Sequence, residues 1–283
     1  MNLVSWNIQW GRGADGRVDL DRIVADARRL ADFDILCLQE VSAGHDRLAG
    51  CDGADQFAQL AARLPGYEAV AGIAGDMPHP AGGRRRFGNM IFSRLPLRQV
   101  FRHLLPWPAD DGVMSMQRVA VEATVEAPFG LLRVLTTHLE YYSARQRAAQ
   151  VERLRELQRE AAAQARSPRP GDPADGPFEA LARGGPAILT GDFNFRPTAA
   201  EHARMLEAID PVTPAWRDAW TLVHPGVPHA PTVGVHDKLQ WPEDPFTFDF
   251  VFVSADLAPR LRGLRVDATS AASDHQPVLV ELG

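Results

Sequence analysis

An α/β layered sandwich is the fold class this sequence predicts, and two features of the chain carry the prediction. Short apolar runs of strand length recur from one end to the other, and segments with helical periodicity lie between some of them, a mixture that fits neither a helical bundle nor an all-β fold. The composition agrees, since 45% hydrophobic and 23% charged residues form an ordinary globular balance with enough apolar mass for a sizeable core. Sheet folds of 283 residues commonly run as one unit, so residues 1–283 are read as a single domain.

The runs that read as buried strands are Leu3 to Trp6, Ile35 to Leu38, Met90 to Phe92, Val119 to Val125, Leu132 to Thr136, Ala187 to Thr190, Phe250 to Val253 and Val278 to Leu282. Leu20, Ile23, Val24, Ala27 and Leu30 recur at helix spacing behind Asp19, a good N-cap. Phe57, Leu60, Ala61 and Leu64 repeat the pattern until Pro65 stops it. A longer helix is predicted over 144–165, with Val151, Leu154, Leu157 and Ala161 facing inward and its arginines solvated beside Glu152, Glu156 and Glu160. Stretches 167–185, 75–86 and 224–245 are rich in Gly, Pro and His or Asp and read as loops, the last two being places where substrate contacts tend to sit.

Several classes are set aside by the bulk properties. Met1 is followed at once by a strand-like run with no basic or long apolar leader, and no window has the apolar length of a bilayer span, so neither a secretory leader nor membrane insertion is expected. Cys37 lies in an apolar run and Cys51 in a polar loop, which fits two free thiols in a reducing compartment and a cytoplasmic location. A formal net charge of −6 argues against a general nucleic-acid coat while leaving room for a local basic groove.

The informative feature is where polar residues fall: an acid, amide or imidazole closes nearly every apolar run. VSWN ends at Asn7, ILCLQE at Glu40, RVLTTH at His138, and AILTGDFN at Asp192 and Asn194, while Asp249 opens DFVFV and Asp274 and His275 stand just before the last strand. If those ends share one rim, separate segments deliver oxygen ligands, donors and a base to one crevice. Glu40 offers a hard carboxylate, and with no Cys/His cluster at zinc spacing the expected ion is Mg²⁺, with Mn²⁺ as the alternative.

This series resembles the endonuclease/exonuclease/phosphatase superfamily, whose marks are a strand ending in Asn, one ending in Gln-Glu, a His after an apolar strand, Gly-Asp-x-Asn and a late Ser-Asp-His. The marks run in family order from Val4 to Val280, and GNMIFSRLPL and TFDFVFVS look like further family segments. The resemblance implies a four-layer α/β/β/α sandwich with two packed mixed sheets, and metal-dependent hydrolysis of a phosphate ester. It implies that Glu40, with Asn7 and Asp274, surrounds the metal. Asp249 would orient His275, Asp192 would orient or deprotonate the attacking water, and Asn194 and His138 would donate to the phosphate oxygens; which of Asp192 and His275 is the base stays open. Arg118 and Arg145 could add guanidinium contacts to a phosphate, and Trp241 could line the substrate pocket.

The remaining candidates are assigned bland roles. His45, His79, His103, His202, His224, His229 and His236 are placed at the surface or in loops, the Arg84-Arg85-Arg86 run on a solvated face, and the tryptophans other than Trp241 in the core. For the substrate, Val-Ser after Glu40 departs from the Gln-Glu-Thr-Lys of the apurinic-site endonuclease branch. His138-Leu139-Glu140 with Arg145, Arg147 and Gln150 looks more like the branch of tyrosyl-DNA phosphodiesterases, sphingomyelinases and deadenylases. A nucleic-acid phosphodiester is the first expectation and a lipid or small-molecule ester the second. A silent phosphate-binding module ranks last, because no chemical position is replaced; no protein partner is indicated.

Overall fold

The computed structural model describes residues 1–167, 176, 179 and 181–283. Its strands are β1 (Asn2–Asn7), β2 (Ile35–Ala43), β3 (Glu68–Pro78), β4 (Arg84–Ser93), β5 (Leu97–Leu104), β6 (Val119–Ala127), β7 (Gly130–His138), β8 (Ala187–Asp192), β9 (Trp216–Asp218), β10 (Asp249–Ser254), β11 (Leu261–Val266) and β12 (Val278–Leu282). They form two six-stranded sheets, ordered β11-β12-β1-β2-β4-β3 and β5-β6-β7-β8-β10-β9. Among the described residues only β1 with β2 and β7 with β8 pair in parallel, so each sheet is mixed as expected.

The inner faces meet in a shared core in which Leu3, Ile35 and Ile91 of one sheet pack with Val121, Val134, Ile188 and Val251 of the other. Helices α1 (Leu20–Leu30) and α2 (Gln56–Arg63) cover the outer face of the first sheet, α1 through Ile23, Val24 and Ala27 against Val4, Leu36 and Leu279. Helix α3 (Ala144–Arg166) covers the second through Val151, Leu154 and Leu157 against Leu135, Leu189 and Phe252. The result is the four-layer α/β/β/α sandwich. Each of these helices starts at a capping side chain, since Asp19, Asp55 and Ser143 accept from the backbone N–H of Arg22, Ala58 and Gln146, contacts worth about 1 kcal/mol each.

The eight strands predicted from apolar runs are the eight interior strands, and the four that were not predicted, β3, β5, β9 and β11, are the four sheet edges. An interior strand between two covered faces reads as continuous apolar sequence, whereas an edge strand is half wetted and keeps its polar residues. The predicted loop at 75–86 is for this reason largely a hairpin: β3 and β4 pair from Glu68↔Ser93 to Pro78↔Arg84, and only the tip between them is a turn. Two short helices, α4 (Ala200–Leu206) and α5 (Ala219–Val223), were also missed.

The arginines of α3 divide. Arg153 pairs with Glu156 and Glu160 on the outside, but Arg155 is buried and donates to the carbonyls of Arg204, Glu207 and Ala208, which ties α3 to the end of α4. The stretch 224–245 holds no strand or helix and crosses the rim of the sandwich, fastened by bridges from Val233 to Phe246 and His275. The predicted loop at 167–185 lies mostly outside the described residues. Among the described residues no helix is long and apolar enough to cross a membrane.

Candidate active site

Strand register brings the chemistry together. In the second sheet the parallel pair β7–β8 sets His138 beside Asp192, and the antiparallel pair β8–β10 sets Asp192 beside Asp249. In the first, β1 and β2 run parallel and their pairing stops with Asn7 beside Gln39, the neighbour of Glu40. Gln39 Nε2 donates to Thr136 Oγ1 at 2.8 Å and links the two sheets just below this rim. Gly191 of the Gly-Asp pair is required by close packing, because a Cβ there would stand 1.9 Å from the carbonyl oxygen of Thr137 on β7.

A cavity of about 430 Å³ opens at this rim, lined by Glu40, His138, Asp192, Asn194, Asp274 and His275 together with Arg118 and Trp241. Asn7 Nδ2 donates to Glu40 Oε1 and to Asp192 Oδ2, both at 2.9 Å, while its oxygen accepts from Gln9 N. Asn7 therefore stands as a bridge between two carboxylates, with its oxygen turned away from them. His138 Nε2 lies 3.9 Å from Glu40 Oε1 and 3.5 Å from Asp192 Oδ2. His275 Nδ1 is 2.8 Å from Asp249 Oδ2, and its Nε2 faces Asp192 Oδ2 at 3.7 Å. Asp274 Oδ2 accepts from Gln240 Nε2 and Trp241 Nε1, each at 2.9 Å.

Backbone strain concentrates here. The non-glycine residues with positive φ among the described residues are Gln9, Trp10, Glu40 and Asn194, and all of them line this cavity. Glu40, at φ 60°, sits where the β2–β4 register shifts between Leu38 and Val41. Such a bulge re-aims a side chain that would otherwise follow the strand's alternation. Asn194, at φ 52°, gives its backbone N–H to Asp192 Oδ1 and its side-chain amide to the carbonyl of Leu139. Conformations of this kind cost roughly 1–3 kcal/mol each and persist where the surroundings enforce them.

The electrostatics follow from burial and crowding. Burial, then the charge of Asp274, pushes the Glu40 carboxyl up to about 7. Burial also raises Asp192, to about 6, with Asp249 adding and His275 opposing. His138 is driven well below the ordinary histidine value by burial and by Arg118. For His275 burial alone would lower the value, but Asp249, Asp274 and Asp192 outweigh it and hold the ring protonated well above its usual range. Arg118 Nε is bonded to the buried Glu140 at 3.1 Å, so its charge is largely compensated. Buried, crowded carboxylates suit a hard divalent cation, and Glu40 and Asp192, with His138, present ligand atoms within 4.8 Å of one another.

The sequence profile of the Endonuclease/Exonuclease/phosphatase family matches residues 4–275. The chain belongs to this family. Solved structures of similar fold include the endonuclease/exonuclease/phosphatase from Bacteroides vulgatus, 19% identical with TM-score 0.67, covering 100% of this chain and 98% of the other. The mannosyl-6-phosphatase Bt3783 of Bacteroides thetaiotaomicron is 18% identical with TM-score 0.66, at 100% and 99% coverage. The catalytic domain of human Nocturnin is 21% identical with TM-score 0.62, at 100% and 93% coverage. No curated protein sequence matches the chain. The endonuclease/exonuclease/phosphatase superfamily consists of hydrolytic phosphoesterases, generally dependent on a divalent metal.

Within this family frame, some expectations are relocated. Arg145 is not brought to the cavity: it is exposed and donates to the carbonyl of Ala109, because Ser143 caps α3 and the helix carries Arg145 outward. Trp241 lines the cavity but spends its N–H on Asp274. Trp10 also lines the cavity and Trp107 is 51% exposed, so neither belongs to the core, unlike Trp6 and Trp216. His202 and His229 are not free surface residues, since both donate from Nε2 to Asp218 Oδ2, at 2.8 and 2.7 Å. His103 is bonded to buried Glu122. Sequence reasoning missed Gln9, Gln240, Met116, Tyr141 and Tyr142 at the cavity. The Tyr141-Tyr142 pair directly after His138-Leu139-Glu140 was the available signal.

Proposed function

We propose that this chain hydrolyses a phosphodiester by in-line attack of water, assisted by Mg²⁺ or Mn²⁺, with nucleotidyl esters as the substrate class. The observation that carries the reading is the meeting of Glu40, Asp192 and His138, at the ends of β2, β8 and β7, with Asp274 and His275 of the loop before β12, in one cavity. Glu40 and Asp192, with Asp274 beside them, would hold the ion, and Asn7 would keep the first two carboxylates in register. When bound, the ion would supply Lewis-acid polarisation of the phosphoryl oxygen and neutralise charge that grows in the transition state.

The protein's own groups do the rest. Asp249 fixes the His275 ring through Nδ1 and keeps it protonated, with Nε2 facing Asp192, so a water beside this pair gives its proton to the Asp192 carboxylate while His275 serves as the acid. His138, kept neutral by burial, and the backbone-anchored Asn194 stand at the cavity wall as partners for non-bridging phosphate oxygens. The shared core between the sheets supports the reading of residues 1–283 as one domain, and two free cysteines, Cys37 buried and Cys51 half-buried, support a reducing, cytoplasmic setting.

A second reading, a compact non-nucleotide phosphoester, is favoured by the charge of the cavity. Among the described residues Arg118 is the one Arg or Lys that lines it and is paired with Glu140, so they form no cationic track there for a long polynucleotide backbone. The test is hydrolysis of bis-p-nitrophenyl phosphate with Mg²⁺, with and without EDTA, in wild type, Glu40→Ala and His275→Ala, followed by a panel of DNA, RNA, dinucleotides and sugar phosphates. Full activity in both variants would reject the site, and turnover of sugar phosphates alone would select the second reading.

A further inference from the structure

One wall of the cavity is not used by the chemistry above. Tyr141 and Tyr142 follow β7, and Met116 comes from the segment between β5 and β6; all three line the cavity that holds Glu40 and Asp192. The wall is built, not incidental. Tyr141 packs edge-on against Tyr142, Trp241 and Phe248, with ring centroids 4.8, 6.2 and 6.3 Å apart. Glu140 holds both sides of it, accepting from Met116 N and from Tyr142 N. The segment that carries Met116 is in turn strapped to α3 by Gln146 to the carbonyl of Pro108 and Gln150 to that of Pro106. Yet Tyr141 and Tyr142 remain 41% and 56% exposed, a costly way to leave two large rings unless something covers them.

We propose that Tyr141, Tyr142 and Met116 form a stacking subsite for one planar heteroaromatic ring, a nucleobase, attached to a phosphate that sits over the cation site of Glu40 and Asp192; this rests on the hydrolase reading for where the phosphate sits. The wall offers aromatic rings and a polarisable thioether, which is what a base plane takes up. Its side-chain amides offer little to a sugar. The nearby side-chain amides are committed to one another, Gln9 Nε2 to Gln240 Oε1 and Gln240 Nε2 to Asp274, so they do not present a free polar fork to hydroxyl groups. With Arg118 compensated by Glu140, the cavity matches one ring and one phosphate better than a succession of them.

The experiment is competitive inhibition and direct calorimetric binding of adenosine 5′-monophosphate, ribose 5-phosphate and glucose 6-phosphate, in the presence of Mg²⁺, to wild type, Tyr142→Ala and Tyr142→Trp. Tyr142 is exposed, so its truncation leaves the core intact, and the Trp variant restores a ring. Wild type should bind the nucleotide about 10- to 100-fold more tightly than ribose 5-phosphate, the range expected for one stacked base. That ratio should shrink at least fivefold in Tyr142→Ala and recover in Tyr142→Trp. Equal affinity for the nucleotide and ribose 5-phosphate in wild type, or a ratio untouched by Tyr142→Ala, overturns the subsite, as does tightest binding of glucose 6-phosphate. Bis-p-nitrophenyl phosphate hydrolysis measured alongside separates the two readings: ring-selective binding without any turnover keeps the subsite and rejects the hydrolase, and turnover without ring selectivity does the reverse.

Discussion

Replacing Asp249 by Asn removes one negative charge from beneath His275 and little else, because the side chains match in shape and the backbone N–H of Asp249 keeps its bond to Thr232 Oγ1. In the wild-type protein Asp249 Oδ2 lies 2.8 Å from His275 Nδ1, and both residues are buried. The centres of the two delocalised charges are then about 4 Å apart, at which an effective dielectric near 20 gives an attraction of about 4 kcal/mol. That is about three decades in the protonation of His275. The amide of the variant can also donate to Nδ1 and select the other tautomer. We expect kcat for bis-p-nitrophenyl phosphate to fall roughly 10³-fold with KM changed by less than about threefold, within the range for a displaced acid–base group. The sign of the pH effect is fixed as well. The folded protein holds His275 protonated well above its ordinary value, so the alkaline limb of the wild-type profile should stand high and should move to lower pH in Asp249→Asn. A variant within tenfold of wild type, with the alkaline limb in place, would refute this account of the pair.

Three further outcomes follow from the same structure. Mg²⁺ at a hundredfold above its Kd should stabilise wild type by about 2.7 kcal/mol in thermal unfolding, and Glu40→Ala should lose that response; because the Glu40 carboxyl titrates at about 7, apparent Mg²⁺ affinity should weaken as pH falls below 7, and a flat dependence would count against Glu40 as a ligand. Burial alone would raise Asp218, but the bonds from His202 and His229 outweigh it and depress its carboxyl from 3.8 to about 2. Its contribution is complete above 3.8 and is lost as pH falls through 2, so Asp218→Asn should cost about 2 kcal/mol in urea at pH 7 and the gap should close near pH 2, while equal stability at pH 7 would show the cluster to be idle. Glu122 neutralises buried Arg133 at 2.8 Å and is also bonded by Arg183 and His103, so Glu122→Gln should destabilise by roughly 3–5 kcal/mol in denaturant melts, and a loss below 1 kcal/mol would mean that the guanidinium groups find other partners.

Most of the architecture was legible because the interior strands are covered on both faces and so carry unbroken apolar sequence. The edges were not. The β5 sequence Leu97–Leu104 mixes Arg98, Gln99, Arg102 and His103 with its apolar residues and keeps neither an unbroken apolar run nor a strict alternation, and the three residues of β9 are too few to make a pattern. The acids and histidines of the crevice were legible because each terminates an apolar run, and strand ends in register share a rim. What escaped detection were side chains whose role depends on where a loop lands. Gln240 is an unremarkable polar residue until 224–245 crosses the rim and sets it on Asp274. Arg145 went astray for the converse reason: proximity in sequence to His138 did not survive the turn into α3.

The four left-handed residues around the crevice, Gln9, Trp10, Glu40 and Asn194, set a limit on engineering this protein for robustness. Glycine relieves the steric penalty at such positions, so a search for heat-tolerant variants guided by backbone preference alone would nominate these sites among the first. Each such gain would delete a carboxylate, an amide or a ring from the working surface. Thermal hardening of this protein is better sought on its outer helices, where no torsional tension is tied to the reaction.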